Sequence, residues 1–246
     1  MARCGKVRVV VSLVPLLALL VGVRAGDAAV VGPFGMVMSL QVDGQEQLSH
    51  APVGYLWALQ GNVYHGWVPD VVNFGDWSLD SLSITGDPDP VVTNNLAVTN
   101  NSNVAQIFTA TITLPLHPAA GYSATIGSTG GSVTNQQGSG SATVSNVLPD
   151  AIYTALIDGS IVEASLLTGS TTASGPFSTA AIGPANFSNP NNSGSANSIG
   201  IQLKFSLTPG DSASFTSVFA IVPEPAAITL VGTAVLGLIA WRWRRT

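Results

Sequence analysis

One periodicity limits what this chain can become. From Val104 to Leu114 the residues alternate strictly: Val104, Gln106, Phe108, Ala110, Ile112 and Leu114 share one face, and Ala105, Ile107, Thr109, Thr111 and Thr113 share the other. A period of two is the repeat of an extended strand with one buried face, because successive Cβ atoms point to opposite sides. The pattern returns at Ile199, Ile201, Leu203, Phe205 and Leu207, and again at Phe215, Ser217, Phe219 and Ile221. Thr208-Pro209-Gly210-Asp211 separates these two runs, a turn signal that predicts a C-terminal hairpin. Weaker strands are expected over 36–42, 54–60, 77–84, 91–99, 123–126, 142–147, 152–157 and 161–167. No stretch between the two ends sustains a capped 3.6-residue period. Short strands with turn signals every 8–12 residues predict an all-β body, a β-sandwich of jelly-roll or immunoglobulin-like type. Two polar, glycine-rich stretches, 127–141 and 188–198, read as exposed loops, since neither holds enough apolar area to offset its ordering entropy.

The charges lie in a different place from the strands. Of eight Lys and Arg, four are among the first 25 residues and three are at Arg242, Arg244 and Arg245. Between Gly26 and Val222 only Lys204 remains, against 12 acids, so this body carries 1 − 12 = −11 while the whole chain carries −5. A body with one cation cannot neutralise a row of phosphates, which excludes nucleic acid as its partner. The single cysteine, Cys4, precedes the first apolar run.

Both ends read as routing segments. Arg3, Lys6 and Arg8 precede an apolar stretch from Val9 to Val23, and Val23-Arg24-Ala25 offers the small residues that a signal peptidase reads. This predicts a signal peptide over 1–25, a body over 26–221 and a separate tail over 222–246. The tail has three ordered parts. Pro223-Glu224-Pro225 cannot continue a regular element. Ala226 to Ala240 is an unbroken small-apolar run of 15 residues, about 22 Å as a helix and shorter than a hydrocarbon core of about 30 Å. Trp241, Arg242, Trp243, Arg244 and Arg245 suit the cytoplasmic membrane boundary. In this order the three parts resemble the PEP-CTERM sorting signal of Gram-negative exported proteins. The resemblance implies recognition of Pro223, Glu224 and Pro225 by an exosortase, a transpeptidase-like membrane enzyme. It also implies a membrane-anchored intermediate in the inner membrane, then release to the cell surface or the extracellular, exopolysaccharide-rich matrix.

Chemistry in the body is sparse. His50, His65 and His117 have no metal-ligand spacing, and no Gly-x-Ser-x-Gly elbow occurs. Asp87 and Asp89, at i and i+2 in a proline-spaced turn, are candidate calcium ligands, set against an ordinary Asx turn. Trp57, Trp67 and Trp77 fall in an aromatic-rich stretch and are candidate sugar-stacking rings, set against core packing. Asp70, Asp76 and Asp80 beside them are the acids a secreted glycosidase-like hydrolase would need as a facing pair. The balance favours a non-enzymatic structural, adhesive or sugar-binding module that binds extracellular polysaccharide.

Overall fold

The computed structural model of the chain describes residues 30–31, 36–46, 56–60, 63–87 and 89–223. The predicted signal peptide, with Val23 and Ala25, and the tail from Glu224 onward lie outside these residues. Among the described residues the chain is strand and turn throughout. In order they are β1 (Val30–Val31), β2 (Val37–Val42), β3 (Gln45–Glu46), β4 (Leu56–Gln60), β5 (Val63–Val68), β6 (Val72–Asn73), β7 (Trp77–Asp87) and β8 (Val91–Asn100). Then follow β9 (Gln106–Asn135), β10 (Ser141–Asn146), β11 (Tyr153–Ile157), β12 (Ile161–Leu166), β13 (Ser170–Ser174), β14 (Thr179–Asn189), β15 (Gly194–Leu207) and β16 (Asp211–Pro223).

The all-β expectation holds, but two separate sheets do not form. A single hydrogen-bonded sheet curls into a half-barrel, because the 30-residue β9 runs through both of its sides. The first part of β9 is flanked by β15 (Phe108 opposite Phe205) and by β2 (Ala110 opposite Leu40). Its second part is flanked by β16 (Gly131 opposite Phe215) and by β14 (Ser128 opposite Asn186). One side therefore reads β12-β11-β15-β9-β2 and the other β14-β9-β16-β8-β7-β5-β4. The sides face each other over one core. Phe205 packs on Phe215 at 4.8 Å, Trp77 meets Phe108 at 6.0 Å, and the Tyr153 hydroxyl donates to the Val218 carbonyl at 3.0 Å.

The strong alternation is obeyed. Gln106, Phe108, Ala110, Ile112 and Leu114 are buried, as are Ile199 to Leu207 at every second position and Phe215, Ser217, Phe219 and Ile221. Val104 precedes the strand and is exposed. The predicted hairpin is corrected. β15 and β16 are joined by a turn but do not pair; each takes a different stretch of β9, so the turn arches from one side to the other. The Asn100 amide pins that arch by donating to the carbonyls of Leu207 (3.0 Å) and Thr208 (3.2 Å), and Gly210 N–H donates to the Asn100 carbonyl at 2.7 Å.

Both predicted loops are corrected too. Gly127 to Asn135 is the second part of β9, with Thr129, Val133 and Asn135 buried; the exposed loop is 136–140 alone. Small residues are required here because β16 and β14 both come close. A Cβ on Gly131 would lie 1.8 Å from the Ser214 carbonyl oxygen, and one on Gly127 would lie 2.5 Å from the Phe187 ring. The polar side chains find each other across strands, Thr129 with Ser217 at 2.8 Å and Ser132 with Ser214 at 2.9 Å. Likewise most of 188–198 belongs to β14 and β15, leaving 190–193 as a turn. β14 itself carries little signal: it pairs only with β9, holds a Gly-Pro bulge and buries Ile182 alone.

Candidate functional site: a polar cleft on the outer face

Alternation sends Phe108, Leu203 and Phe205 inward, so their neighbours must face out. Register then aligns the outward residues of three strands. Gln41 (β2), Thr109 (β9) and Lys204 (β15) form one row, and Ser39, Thr111 and Gln202 form the next. Gln202 Nε2 donates to Thr111 Oγ1 at 3.3 Å. Gln41, Asp43, Gly44, Ile107, Thr109, Val147, Gln202 and Lys204 line a cleft of about 490 Å³ here. A second cleft of about 260 Å³ adjoins it across Gln202, with Asp150, Thr154, Ser165 and Thr168 in its wall. Lys204 Nζ and Asp150 Oδ2, 2.7 Å apart and both partly exposed, stand between the two. A solvated pair of this kind adds little stability; its effect is to hold the ammonium in place.

The acids are mostly engaged in structure. Asp43 accepts the Ile107 N–H at 2.8 Å and Asp158 those of Asn197 (2.7 Å) and Ser198 (3.0 Å). Of the hydrolase candidates, Asp80 accepts the hydroxyls of Ser78 (2.7 Å) and Thr99 (2.6 Å), while Asp70 and Asp76 sit on exposed turns. Asp87 accepts the Asp89 N–H at 2.9 Å, the Asx turn that competes with the calcium reading. Among the described residues no three His, Cys, Asp or Glu side chains cluster as metal ligands.

Of the three candidate sugar-stacking rings, Trp77 is corrected. It is 2 % exposed and stacked on Phe74 at 4.1 Å, since it faces the core from β7, and it cannot meet a sugar. Trp67 is half-buried on β5, and the Trp57 side chain lies outside the described residues. Pro223, first of the sorting residues, is exposed at the end of β16.

Glu163 (β12) ties three elements together. It accepts Thr125 Oγ1 (2.5 Å), Asn189 Nδ2 (2.7 Å) and Asn192 Nδ2 (2.6 Å). Burial pushes its carboxyl up, but the three hydrogen bonds outweigh burial and hold it below the ordinary glutamate range. Its folded value lies under its unfolded one. The stabilisation is therefore complete above about pH 4.3 and is lost as pH falls from there through the folded value. Glu163→Gln is expected to cost roughly 1 kcal/mol at neutral pH and to flatten the acid limb of a melting-temperature profile; an acid limb unchanged from the parent would contradict this. Asp211 runs the other way. Burial raises its carboxyl against hydrogen bonds from Thr208 and the Gln136 backbone, so its contribution falls as pH rises through the carboxylate range. Burial also pushes up the Tyr153 phenol, and burial with the charges of Glu163 and Asp158 raises that of Tyr122.

Sequence reasoning did not single out Gln41, Gln202 or Glu163. Lys204 was visible as the body's lone cation, the one signal that pointed to the cleft. A comparison with curated proteins finds no match to this chain. A family model, the PEP-CTERM protein-sorting motif, matches residues 222–245. The Pro-Glu-Pro, apolar and Arg-ended tail of this chain is thus a PEP-CTERM protein-sorting motif, the mark of an exported protein sorted by an exosortase.

Proposed function

We propose that the body is a non-enzymatic module of the cell surface or extracellular matrix that binds neutral polysaccharide in the Gln41–Thr109–Gln202–Lys204 cleft. The observation that carries this reading is the mixed lining: the Gln41 and Gln202 amides, the Thr109 hydroxyl, the Asp43 carboxylate and the Lys204 ammonium, held in register on the sheet beside Ile107 and Val147. These groups can donate and accept hydrogen bonds to sugar hydroxyls, the apolar pair can meet a ring face, and the cleft is of ligand-binding size. The net charge of the body repels uronate-rich chains and favours uncharged ones. Engagement of Asp43, Asp80 and Asp150 in structural bonds disfavours their use as an acid–base pair.

Affinity electrophoresis in gels containing a neutral glucan, with alginate as the acidic control, tests this. Retardation is expected in the glucan alone, and Gln202→Ala should weaken it roughly tenfold, the loss of one or two hydrogen bonds. Equal mobility in both gels, or release of reducing ends from the glucan, would overturn the proposal, the second in favour of a hydrolase.

A further inference from the structure

Strand β16 runs directly into the sorting motif. Val222 is still opposite Ala124 of β9, and Pro223 opposite Tyr122. The last core residue, Ile221, is 2 % exposed, and its N–H donates to the Pro90 carbonyl at 3.1 Å. β16 lies between β9 and β8 as far as Ala220, with Ile221 bonded to Pro90, so the strand up to Ile221 cannot swing away without breaking bonds on both sides, and Val222 and Pro223 remain paired with β9. Only Glu224 and Pro225 then separate the sheet from the apolar run that starts at Ala226. Three Cα steps span at most about 11 Å. The polar headgroup layer on each side of a bilayer is itself about 5–8 Å thick.

We infer that, while the tail is in place, the body rests on the membrane with the tail-bearing end of the half-barrel in the headgroup layer. The inference rests on the reading of the tail as a membrane-inserted sorting signal. Two exposed apolar side chains on the outward face of this end, Ile126 and Val222, suit that layer; they lie on neighbouring strands two register positions apart. Charge selects the lipid. Asp87 and Asp89 are on the β7–β8 turn beside Ile221, and the body's one Lys or Arg, Lys204, is paired with Asp150 on the other side of the half-barrel. The surface is therefore matched to zwitterionic phosphocholine headgroups and not to anionic ones.

The test uses residues 26–246, the chain after removal of the predicted signal peptide, which holds no cysteine, reconstituted in phosphatidylcholine vesicles that contain a headgroup-nitroxide lipid. A fluorophore is attached at Ser188→Cys, exposed on β14 opposite Ile126, or at Ser139→Cys, in the exposed loop after β9. The second site lies about 30 Å farther along the sheet, from the strand steps between Ile126, opposite Ser188, and Asn135. Co-flotation with vesicles reports the tail; quenching reports the contact. Quenching of roughly twofold or more is expected at position 188 and almost none at 139, since nitroxide and fluorophore share one layer only at the first. Co-flotation with equally weak quenching at both sites would overturn the contact and spare the tail. Failure to co-float would overturn both.

Discussion

Phe205→Ala is expected to cost about 3–5 kcal/mol, a large part of the 5–15 kcal/mol that holds a typical domain folded. Phe205 is fully buried and lies between two other rings, Phe108 at 5.5 Å from the same side of the half-barrel and Phe215 at 4.8 Å from the facing side. Removing it opens a cavity at the point where the two sides meet, and the flanking rings cannot both collapse into it because each is set by a β9 register. Few other devices compensate. The body has no cysteine, and a single Lys–Asp pair is the ion pair among the described residues. Thermal unfolding should show a fall of roughly 10 °C in melting temperature. Phe177, 71 % exposed in the β13–β14 turn, is the control: Phe177→Ala should stay within about 0.5 kcal/mol of the parent. Similar shifts for the two variants would mean that the core is not where these contacts put it.

Gly131→Ala should be nearly as damaging for a single added methyl. Its Cβ would meet the backbone of β16, 1.8 Å from the Ser214 carbonyl oxygen and 3.1 Å from Phe215 Cα. A flexible side chain could move aside; a backbone ladder in the middle of the sheet cannot. A loss of roughly 3 kcal/mol is expected, at the upper end of overpacking effects. Gly121→Ala, where a Cβ meets nothing within 4 Å, should be neutral or stabilise by about 0.5 kcal/mol through the unfolded chain. Urea unfolding of the two variants reads the difference directly. A tolerated Gly131→Ala would show that β9 and β16 do not pair in this register.

Gly127 and Gly131 also explain why composition misled the reading of 127–141. Glycine, serine and threonine lower the apolar count and suggest a loop, yet here they are the residues that let β9 lie against its neighbours. The strand there is held by backbone ladders and by hydroxyl pairs such as Thr129 with Ser217, neither of which leaves an apolar period in the sequence. Trp77 misled in the opposite sense. A cluster of aromatics says that large side chains are present, but a ring one strand position away would face solvent, and only the register of β7 turns it onto Phe108. Of the cleft, only Lys204 is legible, as the body's lone cation. Gln41, Thr109 and Lys204 are far apart in the chain and meet because β2 and β15 flank the same stretch of β9.

What the sequence determined alone is therefore local or terminal. Strand periodicity at 106–114, 199–207 and 215–221 follows from burial of one face, and the sorting tail follows from the order of prolines, apolar residues and arginines. The tertiary structure decided which strands pair, that one long strand joins both sides, and which outward residues share a cleft. Pairing depends on the backbone, which every residue carries alike, so side chains along one strand do not name the strand beside it.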